Sequence, residues 1–129
     1  MMITPCRLDS VRGILSRAIT AKTGGVGRFD LDDLNHGAVC MQIQEDDGEV
    51  VAAYLLKAEG KTLWVRAAAG RSVMDLCDVL DAAITHQAQN FERIGFQTRR
   101  AGLIKKASDR GYQVTGIKDG FTAMEKSLT

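Results

Sequence analysis

Long hydrophobic runs are missing from this sequence. The strongest apolar stretches, such as VVAAYLL, stop far short of the roughly 20 residues a membrane-spanning helix needs. The opening MMITPCRLDSVRG carries Asp9 early and has no apolar core of the kind a secretory signal requires. Cysteine is scarce: Cys6, Cys40 and Cys77 are far apart, no pair has metal-ligand spacing, and no disulfide framework uses all three. The expectation is a reducing, cytoplasmic setting, with the cysteines acting as small buried hydrophobes. No charge sign prevails, since 17 basic against 16 acidic side chains leave a net charge of +1. That balance excludes a global field able to concentrate nucleic acid or an anionic membrane, although it leaves room for a local basic patch. Low-complexity tracts, internal repeats and linkers are also absent.

What remains is the composition of a folded protein: 129 residues, 45% hydrophobic and 26% charged, with 13 Gly and 1 Pro. The length suits one core, so residues 1–129 read as a single domain. Val11, Ile14, Leu15, Ala18 and Ile19 recur at helical spacing, with Asp9 or Ser10 as cap and Gly24 as stop. FDLDDLNHG reads as one or two further helical turns. From residue 38 the period becomes two, with Val39, Met41 and Ile43 on the buried face of a strand. DDG at 46–48 marks a hairpin, VVAAYLLKA (50–58) a central strand apolar on both faces, and TLWVRA (62–67) a third strand. Residues 67–71 read as a loop leading to a helix that opens at Ser72, with Asp75 completing a capping pair. FERIGFQT (91–98), a helix over 99–110 stopped by Gly111, and the strands YQVTGI and FTAMEKSL around a KDG turn complete the order.

The strand–helix–strand passage is a crossover, which places one parallel pair inside an otherwise antiparallel sheet. The fold class is therefore α+β, a mixed, mostly antiparallel sheet with helices on both faces. The turn from residue 67 into the helix at Ser72 is a natural place for an anionic ligand.

Other motifs are weaker. TGGVGR (23–28) follows a helix and lacks phosphate-loop spacing, so it reads as a helix stop and loop, with a substrate-side loop as the alternative. His36 and Cys40 are four apart but straddle a helix end and a strand, and His86 is remote, so no metal site is expected. Arg93, Arg99, Arg100, Lys105, Lys106 and Arg110 form a basic cluster that reads as a solvated helix face or as a phosphate patch. Phe96 is the lone aromatic among them, which argues against nucleic-acid bases stacking there.

The stretch EVVAAYLLKAEGKTLWVRAAAGRSVMDLCDVLDAAI, then FERIGFQTRRAGLIKKASDRGYQVTG with its Gly111–Tyr112 pair, then FTAMEKSL, resembles the GNAT (Gcn5-related N-acetyltransferase) superfamily over most of the chain. The resemblance implies an acyl-CoA N-acyltransferase fold in which two neighbouring strands splay. It also implies acetyl-CoA as cofactor and an amine as acceptor, with Val65, Arg66, Arg71, Ser72 and Val73 lining the cofactor cleft. The family's pyrophosphate loop is Arg/Gln-x-x-Gly-x-Gly/Ala. Here GRSVMDL stands at that place, and Asp75 puts a carboxylate where pyrophosphate would lie. The tyrosine many members use as general acid is replaced by Ala107, and an expected asparagine by Arg100. No catalytic residue is assigned; Tyr54, Glu59 or a water are the alternatives for moving the proton. The phrase QTRRAGLIKKASDRGY also resembles GNAT-like proteins carried by tailed bacteriophages. Two readings stay open: an acyl-CoA-dependent N-acetyltransferase, and a non-catalytic GNAT-fold component of a virion with other virion proteins as partners.

Overall fold

The computed structural model describes residues 2–16, 31–70, 81 and 87–128. Seven strands make one sheet in the order β1-β2-β3-β4-β5-β7-β6. They are β1 (Met2–Pro5), β2 (Val39–Gln44), β3 (Val50–Glu59), β4 (Thr62–Gly70), β5 (Arg93–Thr98), β6 (Gln113–Lys118) and β7 (Phe121–Ser127). Every neighbouring pair is antiparallel except β4 and β5, which run parallel as the crossover demands.

Helices cover both faces. On one, α1 (Leu8–Leu15) and α2 (Leu31–Asn35) pack Leu8, Val11, Ile14, Leu15, Leu31 and Leu34 against Cys40, Ala53, Leu55, Ala67 and Ala69. On the other, α3 (Ala101–Asp109) presses Leu103 and Ala107 onto Met41, Ile43, Tyr54, Leu56, Val65, Ile94, Phe96 and Met124. The central strand β3 serves both cores, which is why its sequence is apolar on both faces. The expected α+β sandwich is therefore found.

The turns follow their chemistry. Gly48 at φ 87° closes the β2–β3 hairpin, where its amide donates to the Glu45 carbonyl at 2.9 Å. Asp119 and Gly120 both take positive φ between β6 and β7, the pair a two-residue primed turn requires.

Several sequence expectations need correction. α1 begins at Leu8 with Arg7 at its N-cap, so Asp9 and Ser10 sit in the first turn, and Ser10 Oγ donates back to the Arg7 carbonyl at 2.7 Å. β1 is a short half-exposed edge strand without a strong alternation, and the sequence reading gave it no strand. Val39 is 54% exposed, while Cys40 is the inward residue at the start of β2. Residues 67–70 are not a loop: they extend β4, with Ala67 opposite Leu55 and Gly70 opposite Ala52. Alanine and glycine have low strand propensity, but the long partner strand β3 supplies a full ladder. The expected helix from Ser72 and the TGGVGR stretch lie outside the described residues, as does His86.

Candidate functional site

The site begins with one extra residue. β3 and β4 pair in register up to Leu55 opposite Ala67, but the next pair is Leu56 opposite Val65, so Arg66 is a bulge. A bulge adds twist and reverses which face later side chains meet. The reversal is visible in the packing. Leu63 and Val65 belong to the core under α3, whereas Ala67 and Ala69 belong to the core under α1 and α2. Ala68, half-buried, takes over on the α3 side.

The parallel pairing stops at the same place. β4 and β5 register from Thr62–Arg93 to Val65–Phe96 and no further. Beyond that point β4 continues to Gly70, held by β3, and β5 continues to Thr98, held by β7. The two strands thus splay at their carboxyl ends, where open α/β sheets place their ligands. Over residues 66–70 the edge of β4 facing away from β3 carries backbone N–H and C=O groups that β5 does not pair. The side chains there are Ala67, Ala68, Ala69 and then Gly70, so β4 itself presents only small groups along that edge.

Around the opening, Tyr54 of β3 lies opposite Ala68 and is fully buried. Its hydroxyl donates to Gln87 Oε1 at 2.6 Å, which ties the central strand to the end of the crossover. Burial pushes the Tyr54 phenol above its ordinary value, so it stays protonated at neutral pH. Across the opening, Phe96 packs edge-on against Tyr112 with ring centroids 5.2 Å apart. Thr98, only 3% exposed, accepts the Arg100 amide on Oγ1 at 3.1 Å and fixes the exit from β5 into α3.

The residues singled out from the sequence distribute unevenly. Val65 and Arg66 stand at the apex of the splay, Val65 buried and Arg66 half-buried at the bulge. Arg71, Ser72, Val73 and Asp75 follow directly in the chain but lie outside the described residues. Ala107 is fully buried in the α3 core. Of the proton-transfer alternatives, Tyr54 lies beside the opening, whereas Glu59 pairs with Thr62 at the opposite end of β4 and is removed from it. The basic cluster Arg93, Arg99, Arg100, Lys105, Lys106 and Arg110 is exposed throughout. Arg99 stacks over the Phe121 ring at 4.6 Å and donates to the Asp119 carbonyl at 2.8 Å. His36 is exposed, and no group of metal-ligating side chains forms among the described residues. Sequence reasoning missed Gln87 and Thr98; it pointed to residues 67–70 as part of a ligand-binding turn, but as a loop rather than the end of β4.

No protein-family model and no curated protein sequence matches this chain. Its fold, however, matches solved structures over nearly its whole length. A GNAT family acetyltransferase from Elizabethkingia anophelis, with acetyl-CoA bound, superposes with a TM-score of 0.76 at 12% identity, covering 98% of this chain and 97% of that one. A Bacillus subtilis acetyltransferase in complex with CoA gives 0.71 at 13% identity, covering 98% of each. Tetrahymena Gcn5 gives 0.68 at 15% identity over 95% of this chain and 86% of its own. The fold is the GNAT acyl-CoA N-acyltransferase fold.

Proposed function

We propose that this chain binds acyl-CoA along the open edge of β4 and transfers the acyl group to an amine. One observation carries the reading: β4–β5 pairing ends at Val65 and Phe96, and beyond it the edge of β4, which no described strand but β3 pairs, is lined by Ala67, Ala68, Ala69 and Gly70. The pantetheine arm of CoA is an extended chain containing amides, and an open strand edge offers N–H and C=O groups to such a chain. Small side chains let it approach closely. Val65 and Arg66 would flank its thioester end at the apex of the splay. Arg71, Ser72 and Val73, next along the chain, would take the pyrophosphate end. Bound there, acyl-CoA supplies a thioester: the amine nitrogen bonds to its carbonyl carbon, the C–S bond breaks, and the amine proton ends on the CoA thiol. GNAT-fold structures carrying acetyl-CoA or CoA lend support. A single domain over residues 1–129, located in the cytoplasm, belongs to the same proposal.

Thermal melting tests it. A ligand at 100 times its dissociation constant stabilises by about 2.7 kcal/mol, so millimolar acetyl-CoA is expected to raise the melting temperature clearly. Ala68→Phe, which fills the opening beside Tyr54, should abolish that rise while melting cooperatively itself. An unmoved wild-type transition refutes the reading.

A second reading has one observation in its favour. Ala107, where many GNAT enzymes carry a tyrosine acid, is a buried methyl group with no proton to give. Together with Asp75 at the pyrophosphate position, this supports a degenerate, non-catalytic GNAT-fold protein, of the kind tailed bacteriophages build into virions among other virion proteins. Acetyl-CoA binding without thiol release across a panel of primary amines favours this reading, and thiol release overturns it.

A further inference from the structure

Away from the splay, Cys6 and Cys40 stand directly opposite each other where the β1–β2 ladder ends. The Cys6 amide donates to the Cys40 carbonyl at 3.0 Å, and the two sulfurs are 3.2 Å apart. Both thiols are free. They line a cavity of about 350 Å³ with Arg7, Asp9, Asp32 and Asn35 among its walls. Arg12 ties the rim together, its guanidinium bonding Asp9 at 2.9 Å and Asp32 at 2.8 Å. Cys6 is half-buried and Cys40 is buried.

We propose that Cys6 and Cys40 form a reversible dithiol–disulfide site, oxidised by a small hydroperoxide that enters through this cavity. The backbone is already in place. Directly opposite residues that share a ladder hydrogen bond have Cα atoms about 5.5 Å apart, inside the range a disulfide spans without backbone movement. The sulfurs need close by only about 1 Å to reach bonding distance. Cys6, the less buried sulfur, reacts first. Its sulfur attacks one peroxide oxygen, the S–O bond forms, the O–O bond breaks, and the departing hydroxide leaves as water with the thiol proton. The Cys40 sulfur then attacks the Cys6 sulfur, forming S–S and breaking S–O. A second water carries away the hydroxyl and the Cys40 proton. In sum, two thiols and hydrogen peroxide give one disulfide and two waters. The order of attack agrees with the state of Cys40, whose thiol is pushed up to about 12, chiefly by burial and then by its contact with Cys6.

The bond would fasten the end of β1, and with it the start of α1, to β2. Cys40 packs in the same core as Ala67 and Ala69, so the fastening reaches the core behind the splayed half of β4.

The test uses the full chain in a Cys77→Ala background, which removes the third thiol. Treatment of the native protein with equimolar hydrogen peroxide should lower the intact mass by two hydrogens and yield a Cys6–Cys40 cross-linked peptide. It should also raise the melting temperature, with all three changes reversed by dithiothreitol. Adding Cys6→Ser, a change at a half-exposed position, should abolish the mass loss while leaving the fold intact. An added oxygen without a cross-link, a cross-link between two chains, or an unchanged mass overturns the proposal.

Discussion

Gly95 sits in β5 one pair below the apex of the splay, opposite Trp64 on β4 and Glu125 on β7. A methyl group added there would meet Trp64 Cζ3 at 2.7 Å and Cε3 at 3.0 Å, and Glu125 Cγ at 3.0 Å. The Glu125 stem can swing aside, but the indole is a rigid plate lying over the glycine and must move as a whole. Overpacking of this kind costs about 1–3 kcal/mol, while replacing glycine by alanine inside a strand returns about 0.5–1 kcal/mol of backbone entropy. Gly95→Ala is therefore expected to destabilise by roughly 1–2 kcal/mol. For a domain of this size that lowers the melting temperature by roughly 3–8 °C. Trp64 is the chain's one tryptophan, so its emission reports the displacement directly. Because the Trp64–Gly95 pair lies next to the last parallel pair, any stabilisation by acetyl-CoA should shrink as well. An unchanged or raised melting temperature with unshifted emission would refute the packing argument.

Tyr54→Phe removes the hydroxyl that bonds Gln87 Oε1 and should cost about 1 kcal/mol, with Gln87→Ala closing a double-mutant cycle whose coupling energy measures the pair. Additive single and double variants would show that the bond contributes nothing. The Arg12–Asp32 pair gives a pH dependence. Hydrogen bonding to Arg12 holds the Asp32 carboxyl below its ordinary value of 3.8. Its stabilisation is thus fully present above that ordinary value and is lost as pH falls through the lowered one. Arg12 itself, pushed still further up, stays charged throughout. Wild type and Arg12→Ala should therefore differ most in melting temperature above the ordinary value of 3.8, and the difference should shrink as pH falls below it. A constant difference across that range would disprove the link.

The sequence was most legible where one physical signal dominated. The hairpins at 46–48 and 118–120 were marked by Asp-Gly pairs, and the structure gives Gly48 and Gly120 the positive φ those pairs foretell. The crossover required a parallel pair, and β4 with β5 supplies it. Legibility failed where local signals were weak and partners decided. β1 is four residues long and half-exposed, and it exists because β2 offers an edge. Residues 67–70 are poor strand formers, yet β3 extends them into β4. Val39 shares its face with Met41 and Ile43 yet is 54% exposed at the start of β2, whereas Cys40 points to the other face and joins the α1 core beside Cys6. The apex of the candidate site was legible as Val65 and Arg66 only through the family likeness. No pattern in the sequence announces that Arg66 is a bulge, since the residues after it, Ala67, Ala68, Ala69 and Gly70, are uniformly small and carry no alternation in which a shift of phase could show.

That insertion explains why the site can exist on so small a sheet. Without it, period-two alternation would point Ala67 and Ala69 to the same face as Leu63 and Val65, into the core under α3. The α1 face would then meet the end of β4 through Arg66, Ala68 and Gly70. With Arg66 as the extra residue, Ala67 and Ala69 fill the α1 side. Their methyl groups are short enough for Leu8, Val11 and Leu15 to close over them and over Ala53 and Leu55. The end of β4 is consequently anchored by β3 and by the α1 core, two contacts that owe nothing to β5. A bulge adds twist, and the pairing of β4 with β5 ends at Val65 and Phe96, immediately before it. An exposed strand edge is ordinarily a hazard for pairing with other chains, but here the stretch that β5 leaves unpaired is only residues 66–70. A short edge held firmly on its other side can receive an extended ligand while offering too little length for a second sheet.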